Sequence, residues 1–255
     1  MKLFKKFCPI ITVLAIIALW YAASFAVNMK LIMPTPYDTM LAFFDVVKNG
    51  NFYVALSGSA LRTILSFTIS LVAAVIFALL SSASEIFEKL FYPLIVIVRA
   101  TPTMSVIFLC IIWFTSKISP IIVSVTVILP TLYSAVTSAI KSCDEKILEM
   151  SEVYGVKRGR IIKSYYLPFV TETVFDDIVS ALSLNVKLVI AAEALAQTSK
   201  GLGVLMQVAK LNLETATLFA YTVGAVVLGF IFELMLKGIR FIVKELRRAK
   251  IRKHS

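Results

Sequence analysis

Long stretches without any charged residue are the feature that most constrains how this chain can fold. Four such runs occupy residues 8–27, 63–84, 100–116 and 118–140, and two less apolar runs lie near 174–196 and 216–236. A helix needs about 20 apolar residues to cross roughly 30 Å of hydrocarbon. The pattern therefore predicts six membrane spans, at 8–27, 58–80, 94–114, 120–140, 174–196 and 216–238.

The composition agrees with a membrane protein of the helical kind. Of the 255 residues, 59% are hydrophobic and 16% are charged, and the mean hydropathy is +0.90. A soluble domain carries roughly 25% charged residues. Strands of a membrane barrel would each show only about ten residues of alternating polarity. The predicted class is an all-α integral membrane protein with about six transmembrane helices.

The positive charges predict the orientation of the chain. If the N-terminus is cytoplasmic, 18 of the 26 Lys and Arg residues fall in cytoplasmic segments and five in external ones. The remaining three, Arg62, Arg99 and Lys187, lie within spans. Cytoplasmic loops are enriched in Lys and Arg, so both termini and the loop at 141–170 are predicted to be cytoplasmic. The net charge of +11 is then a topology signal and no sign of nucleic-acid binding, and the basic tail can also contact anionic lipid.

The residue types argue against several kinds of chemistry. Cys8, Cys110 and Cys143 lack the spacing of metal ligands, and no disulfide is expected from them. His254 is the single histidine and lies at the end of the tail, which argues against His-based catalysis. The chain also has no phosphate-binding loop of the Gly-Lys-Ser/Thr kind. We expect no catalytic residue, metal or cofactor in this chain.

The chain divides into three predicted parts. They are residues 1–56, with the first span and an external amphipathic segment; a bundle at 57–242; and a basic cytoplasmic tail at 243–255. The first 26 residues also fit a secretory signal peptide, whose cleavage would leave five spans. Trp20 and Tyr21 at the end of the run favour a retained span. After Pro34 and Pro36, residues 40–47 predict a short helix at the outer membrane surface.

The loop at 141–170 has features of a helix, a turn and a second helix. Ser142 to Glu145 has the spacing of a capping box, which predicts a helix start. The apolar residues that follow recur at helical spacing: Ile147, Met150, Val153 and Tyr154. Gly155 fits a left-handed C-cap, and a second helix at 157–166 is expected to stop before Pro168. An apolar face in the cytoplasm must be covered, by lipid or by a groove in another protein.

This loop resembles the coupling loop of binding-protein-dependent ABC importers. The family pattern is Glu-Ala-Ala, three residues, Gly, nine residues, Ile, one residue and Leu-Pro. In this chain the register gives Glu149-Met150-Ser151, then Gly155, Tyr165 and Leu167-Pro168. Four further stretches are similar to the nitrate/sulfonate/taurine branch: Met33-Pro-Thr-Pro36, Ser59-Ala-Leu-Arg62, Arg99-Ala-Thr-Pro102, and Ala192-Glu193 followed by Gly201-Leu-Gly203. The resemblance extends from residue 33 to about residue 248.

The resemblance implies a fold, a location and partners. It implies the type I importer permease fold in a bacterial plasma membrane, working as a homodimer with an extracytoplasmic solute-binding protein. Two cytoplasmic ATPase subunits would bind ATP and Mg²⁺. The residues expected to couple to the ATPase are Glu149, Met150, Ser151, Val153, Tyr154, Gly155, Leu167 and Pro168.

The candidate solute path is a polar face on the fifth predicted span. Asp176, Ser180, Ser183 and Lys187 recur at i, i+4, i+7 and i+11, and Arg99 is a further charge within a span. Charges inside spans usually face the bundle interior or a water-filled cavity. A cationic lining suits a small anion such as a sulfonate or nitrate. Alternatively, Lys187 pairs with Asp176 or Glu193 and holds helices together.

Two other classes of membrane protein remain open. A secondary transporter or channel would share the spans and buried charges but would need no cytoplasmic docking helix. The transmembrane coupling subunit of vitamin importers also binds paired ATPases, and it would be expected to carry two short coupling helices containing Ala-Arg.

The charge asymmetry yields a labelling prediction. In intact cells, single cysteines at Ser142 and Ser255 should be shielded from impermeant thiol reagents, and one at Ser199 should react. Labelling from the external side at position 142 would contradict the predicted orientation.

Overall fold

Helices joined by short connections make up the part of the chain that the computed structural model describes. That part is 2–144, 146–147, 150, 153–154, 156 and 158–252, with side chains described from residue 11 to residue 245. The elements are α1 (Lys2–Val27), α2 (Pro36–Lys48), α3 (Gly50–Ala83), α4 (Glu85–Ala100), α5 (Thr103–Trp113), α6 (Ser119–Lys141), α7 (Arg158–Ile161), a π-helix (Ile162–Tyr166), α8 (Leu167–Ala196), α9 (Leu202–Leu211) and α10 (Thr215–Arg252).

Several of these helices are long and apolar enough to cross a membrane. Four qualify among the described residues, namely α3, α6, the helix Gly159–Ala196 that includes α8, and α10 over Thr215–Glu245. The bent pair α4 and α5 gives a fifth if it counts as one span. Within α1, the apolar stretch Ile11–Val27 has 17 residues, slightly fewer than these spans require. The predicted all-α membrane fold is confirmed, and the count of six spans stays a prediction.

The third predicted span, 94–114, is wrong as a single straight helix. It is divided between α4 and α5, which meet at an angle of 98°. Pro102 explains the break, because its ring removes a backbone donor and disfavours helical geometry at the residue before it. Thr101 accordingly has extended backbone angles, φ −71° and ψ 127°. Its N–H donates to the Ile97 carbonyl, and this hydrogen bond closes the last turn of α4.

Pro168 does not stop a helix as the sequence suggested. The helical path runs from α7 through the π-helix into α8, with Pro168 in the first turn of α8. A proline ring crowds the carbonyl four residues earlier, and a widened turn relieves that contact. The Leu167 N–H donates to the Ile162 carbonyl, five residues back, as a π-turn requires.

The expected capping box at 142 is also corrected. Ser142 ends α6 instead of starting a helix, and its hydroxyl donates to the Ala139 carbonyl over 2.9 Å. Two residues later, the Asp144 carboxylate accepts the Lys146 N–H at 2.9 Å. Glu145 lies outside the described residues.

The bundle is built around α3, α6 and α8, which contact one another. Small side chains on the buried face of α3, including Ser70, Ala74 and Ala78, allow neighbouring helices to approach closely. At one end, Phe91 packs against Phe77 and Phe87 and edge-on to Tyr133. The buried Tyr133 hydroxyl also hydrogen-bonds to Ser81 over 2.8 Å, which joins α3 to α6.

The short helix α2 lies against the bundle. It contacts α1, α3 and α10, and it buries Thr39 and Val46. The connection from α1 is held by the Trp20 indole, which donates to the Pro34 carbonyl at 3.1 Å. Thr35 and Asp38 form a capping box at its start. The predicted surface helix therefore exists and packs directly on α10.

The α2 cap predicts a dependence of stability on pH. The Thr35 hydroxyl, with help from Lys30, holds the pKa of Asp38 below its ordinary value. This contribution to stability is present above the ordinary pKa and is lost as the pH falls through the lowered one. Asp38→Asn should reduce the melting temperature in detergent at neutral pH, and the difference from wild type should shrink in acid. Asp45→Asn, at an exposed site of the same helix, is the control. A pH-independent difference would contradict this account.

Candidate functional site

A fully buried carboxylate lies at the end of α8. Glu193 has no exposed surface. Its Oε2 accepts the Ser59 hydroxyl at 2.6 Å and the Gly203 N–H at 3.2 Å, and its Oε1 accepts Arg62 Nη1 at 2.7 Å. A buried charge is tolerated when it is both paired and hydrogen-bonded. We call Ser59, Arg62, Glu193, Gly201 and Gly203 the Glu193 network.

The Glu193 network joins four segments of the chain. Arg62, on α3, also donates to the Lys200 carbonyl at 2.6 Å, in the turn between α8 and α9. The Ser59 hydroxyl, also on α3, accepts the Leu202 N–H at 2.8 Å, at the first residue of α9. α3, the end of α8, the turn and the start of α9 are therefore held together by one carboxylate and its partners.

Two glycines make this approach possible. A Cβ at Gly201 would lie 2.5 Å from the Glu193 carboxyl group. A Cβ at Gly203 would lie 2.1 Å from the Ile190 carbonyl oxygen, on the backbone of α8. Since backbone cannot move aside as a flexible side chain can, α9 can lie this close to α8 only with glycine at position 203.

A second buried polar cluster lies about two turns earlier on α8. The Asn185 Oδ1 accepts hydrogen bonds from the hydroxyls of Ser66 and Ser124, and its Nδ2 donates to the Thr63 carbonyl at 2.8 Å. Asn185 is fully buried. These bonds tie α8 to both α3 and α6, so α8 is fixed to its neighbours at two levels.

The structure does not support the pairing considered for Lys187. Glu193 is bound to Arg62, and Asp176 lies 3.4 Å from Arg240. Among the ion pairs of the described residues, none includes Lys187, whose side chain is exposed. Arg62 is itself mostly buried by this pairing, with 12% of its side chain exposed.

A groove of about 520 Å³ lies between α6 and α8, and we call it the hydroxyl groove. Its lining is Thr131, Ser134, Ala135, Ser138, Ala139, Ser142, Thr173, Asp177 and Ser180. Ser134 and Ser180 each donate to a carbonyl of their own helix, which leaves their oxygens free to accept. Arg99 donates to the Ser134 hydroxyl over 3.2 Å, so this predicted path residue touches the groove lining.

A second groove, of about 690 Å³, lies between α8, α9 and α10, and we call it the lysine groove. Its polar lining includes Ser183 and Lys187 of α8, Gln207 and Lys210 of α9, and Glu233 of α10. Most of the rest is apolar, including Val186, Ile190 and Phe230.

The polar face predicted on the fifth span is therefore divided. Ser180 lines the hydroxyl groove, whereas Ser183 and Lys187 line the lysine groove. Asp176 lines neither groove and instead contacts Arg240. One helical stripe can contribute to two grooves because α8 is flanked by α6 on one side and by α10 on the other.

Asp176 belongs to a charged clasp between α8 and α10. Arg240 lies 2.5 Å from Glu172 and stacks its guanidinium over Phe175, 4.3 Å from the ring centroid. Lys244 lies 3.3 Å from the same Glu172 carboxylate. The clasp fixes the later part of α10 beside the first turns of α8.

The predicted coupling residues are partly described. Met150, Val153 and Tyr154 are 60%, 84% and 77% exposed. Leu167 is exposed and Pro168 is half-buried at the start of α8. Glu149, Ser151 and Gly155 lie outside the described residues.

Tyr165, at the isoleucine position of the family pattern, connects the two ends of the loop. The Asp144 N–H donates to its hydroxyl oxygen at 3.3 Å, and its ring stacks on Phe169. A tyrosine at this position can therefore make a hydrogen bond that an isoleucine side chain cannot make.

Sequence reasoning missed several of these residues. Asp177 lies off the stripe of Asp176, but Thr173, Asp177 and Ser180 have the i, i+4, i+7 spacing of one helix face. Asn185 is an uncharged polar residue in an apolar helix, and this feature of the sequence indicates a buried polar contact. Among the described residues, no group of three or more His, Cys, Asp or Glu side chains could hold a metal ion.

Comparison with known proteins finds one matching family and two similar permease proteins. Residues 68–241, more than half of the chain, match the family described as "Binding-protein-dependent transport system inner membrane component". SsuC of Bacillus subtilis (strain 168), provisionally named an aliphatic sulfonates transport permease protein, is 23% identical over 233 residues, covering 91% of this chain and 83% of SsuC. The taurine transport system permease protein TauC of Escherichia coli (strain K12) is 22% identical over 230 residues, covering 87% of this chain and 82% of TauC.

The Glu193 network predicts a strong effect on stability. Glu193→Gln would leave the Arg62 charge buried without its counter-ion and should cost about 3 kcal/mol. Arg62→Met combined with Glu193→Gln should recover part of that loss, since no unpaired charge remains. Survival of the folded protein after heating in detergent, followed by size-exclusion chromatography, measures both variants. A single variant as stable as wild type would show that the pair does not hold the fold.

Proposed function

Because the chain belongs to the family of binding-protein-dependent transport system inner membrane components, we propose that it is the permease subunit of an ATP-driven importer. It is a multi-pass protein of the bacterial plasma membrane. In the proposed assembly, two copies of the chain form the path for the solute. A cytoplasmic ATPase dimer holds ATP and Mg²⁺, and an extracytoplasmic protein delivers the solute.

The observation that carries this proposal is the exposed apolar surface of Met150, Val153 and Tyr154, which we call the docking surface. It lies between two helices that are long enough to span a membrane, α6 and the helix that includes α8. An apolar surface of this kind favours burial in the groove of a partner. We propose that this partner is the ATPase.

The path from the docking surface into the bundle is short. The loop leaves α6 at Ser142, and Tyr165 joins its two ends through the Asp144 N–H. The π-helix then continues into α8 without a break. α8 borders both grooves and ends in the Glu193 network. When the ATPase closes around nucleotide, displacement of the loop would move α8 and change the access to the grooves.

The proposed solute is a small organic compound that carries an anionic sulfonate group. The names of both relatives refer to sulfonic acids, aliphatic sulfonates for SsuC and taurine for TauC. Within this chain, Lys187 and Lys210 line one groove and Arg99 contacts the lining of the other. Cationic side chains that face a water-filled path attract anions and favour their entry.

Gly155 provides the test of the coupling role. If Gly155 has a left-handed conformation, a β-branched residue there costs at least about 1–2 kcal/mol of local strain. Gly155→Val should then tilt the docking surface and reduce ATPase copurification and ATP-driven uptake to a small fraction of wild type. Membrane abundance should stay normal, since the spans are unchanged.

Gly159→Val is a matched control for that experiment. Gly159 lies in α7, and a Cβ at this position would have no heavy atom within 4 Å. Uptake and copurification should therefore stay close to wild type. Normal uptake by Gly155→Val at normal abundance would mean that the loop is an ordinary connection, and it would overturn the proposed coupling.

A further inference from the structure

We propose that the lysine groove is a binding site for an aliphatic organic anion, with the anionic head group at Lys187 and the hydrocarbon chain on the apolar wall. Lys210 attracts the anion from the α9 end of the groove. This inference rests on the proposed importer function and deepens it, because it names the site and the part of the solute that each wall contacts.

Lys187 is the first step of the argument. It lies in α8, nine residues before the helix ends at Ala196, which is about 14 Å along the axis. A lysine at such a depth in a span is unfavourable unless it faces water or a counter-charge. Its side chain is exposed, and none of the ion pairs among the described residues includes it. Glu233, the acidic residue of the same groove lining, is paired with Lys237, so an anion bound in the groove would supply the counter-charge of Lys187.

The groove wall is suited to a hydrocarbon chain. Val186 and Ile190, on either side of Lys187 in α8, are buried, and Phe230 faces the groove from α10. The volume of about 690 Å³ is within the range of sites for small organic molecules, roughly 300–1,000 Å³. A nitrate ion would use only the lysine, whereas an alkyl sulfonate or carboxylate would also bury apolar surface.

The charges of the lining also argue against an amino group on the solute. Glu233 is the acidic residue of the lining, and its carboxylate is 2.5 Å from Lys237. A solute ammonium would have to compete with Lys237 for that carboxylate, and it would also be repelled by Lys187. The groove therefore favours a simple aliphatic anion over an aminosulfonate such as taurine.

The fold determines the position of Lys210. It lies on α9, next to the last residue of that helix. The start of α9 is held by Ser59 and Glu193 through the backbone N–H groups of Leu202 and Gly203. Gln207, about one turn before Lys210, lines the groove as well and can donate through its amide. The Glu193 network therefore places two side chains that can donate hydrogen bonds to an anion at the α9 end of the groove.

Titration calorimetry on the full chain in nanodiscs of phosphatidylcholine tests the site without any partner protein. We expect hexane-1-sulfonate to bind wild type, and taurine to bind at least about tenfold more weakly. Lys187→Gln should weaken hexane-1-sulfonate binding about tenfold or more, and Lys187→Arg should retain it. Lys210→Gln should weaken binding by a smaller factor that decreases as salt is added. Lys117→Gln, outside both groove linings, is the matched control.

Several results would overturn the site. These are absence of hexane-1-sulfonate binding to wild type, equal binding by a stably folded Lys187→Gln protein, and taurine binding as tight as that of hexane-1-sulfonate. Loss of binding in nanodiscs that contain phosphatidylglycerol would assign the groove to a lipid head group instead. A change in dimer content with unchanged anion binding would make it an interface between copies of the chain.

The two proposals can fail separately. Binding is measured on the permease alone, so it does not depend on the ATPase or on the loop. Anion binding without ATP-driven uptake in the complete complex would contradict the importer function and leave the site in place. ATP-driven uptake of sulfonates that is unaffected by Lys187→Gln would contradict the site and leave the importer function in place.

Discussion

The arrangement of α3, α8 and α9 depends on one buried carboxylate. Glu193 has no exposure to solvent, and so it must be neutralised and hydrogen-bonded by its neighbours. Arg62 and Ser59 do this from α3, and a backbone N–H does it from α9. Each of these groups has to be in place for the others to have their hydrogen-bond and charge partners. The same constraint requires Gly203, because any Cβ there would collide with the backbone of α8.

α8 connects the regions to which we assign function. At its first turns it follows the loop that carries the docking surface, and the Arg240 clasp holds it to α10. In the middle, Asn185 joins it to α3 and α6. It borders the hydroxyl groove on one side and the lysine groove on the other. A displacement at the loop would therefore reach both grooves through one continuous helix.

Much of the helical fold could be predicted from hydropathy and charge. Four of the predicted spans lie within long apolar helices of the structure. Two of the three errors involve proline, and the third is the capping box expected at Ser142. At Pro102 a continuous apolar run hid a 98° bend, and at Pro168 an expected stop became a π-turn inside a continuous helix. Proline marks a place where the regular helix must change, and its neighbours decide whether the chain bends or widens.

The sequence by itself determined that this is a helical membrane protein, because twenty-residue apolar runs are stable in a bilayer only when their backbone is hydrogen-bonded within the segment. It also indicated which charges lie inside spans. Their partners were decided only by the tertiary structure. Glu193 pairs with Arg62, 131 residues away, and Lys187 faces a groove made by three helices. Local periodicity shows which side of a helix is polar, whereas the identity of the opposing helix depends on packing between distant segments.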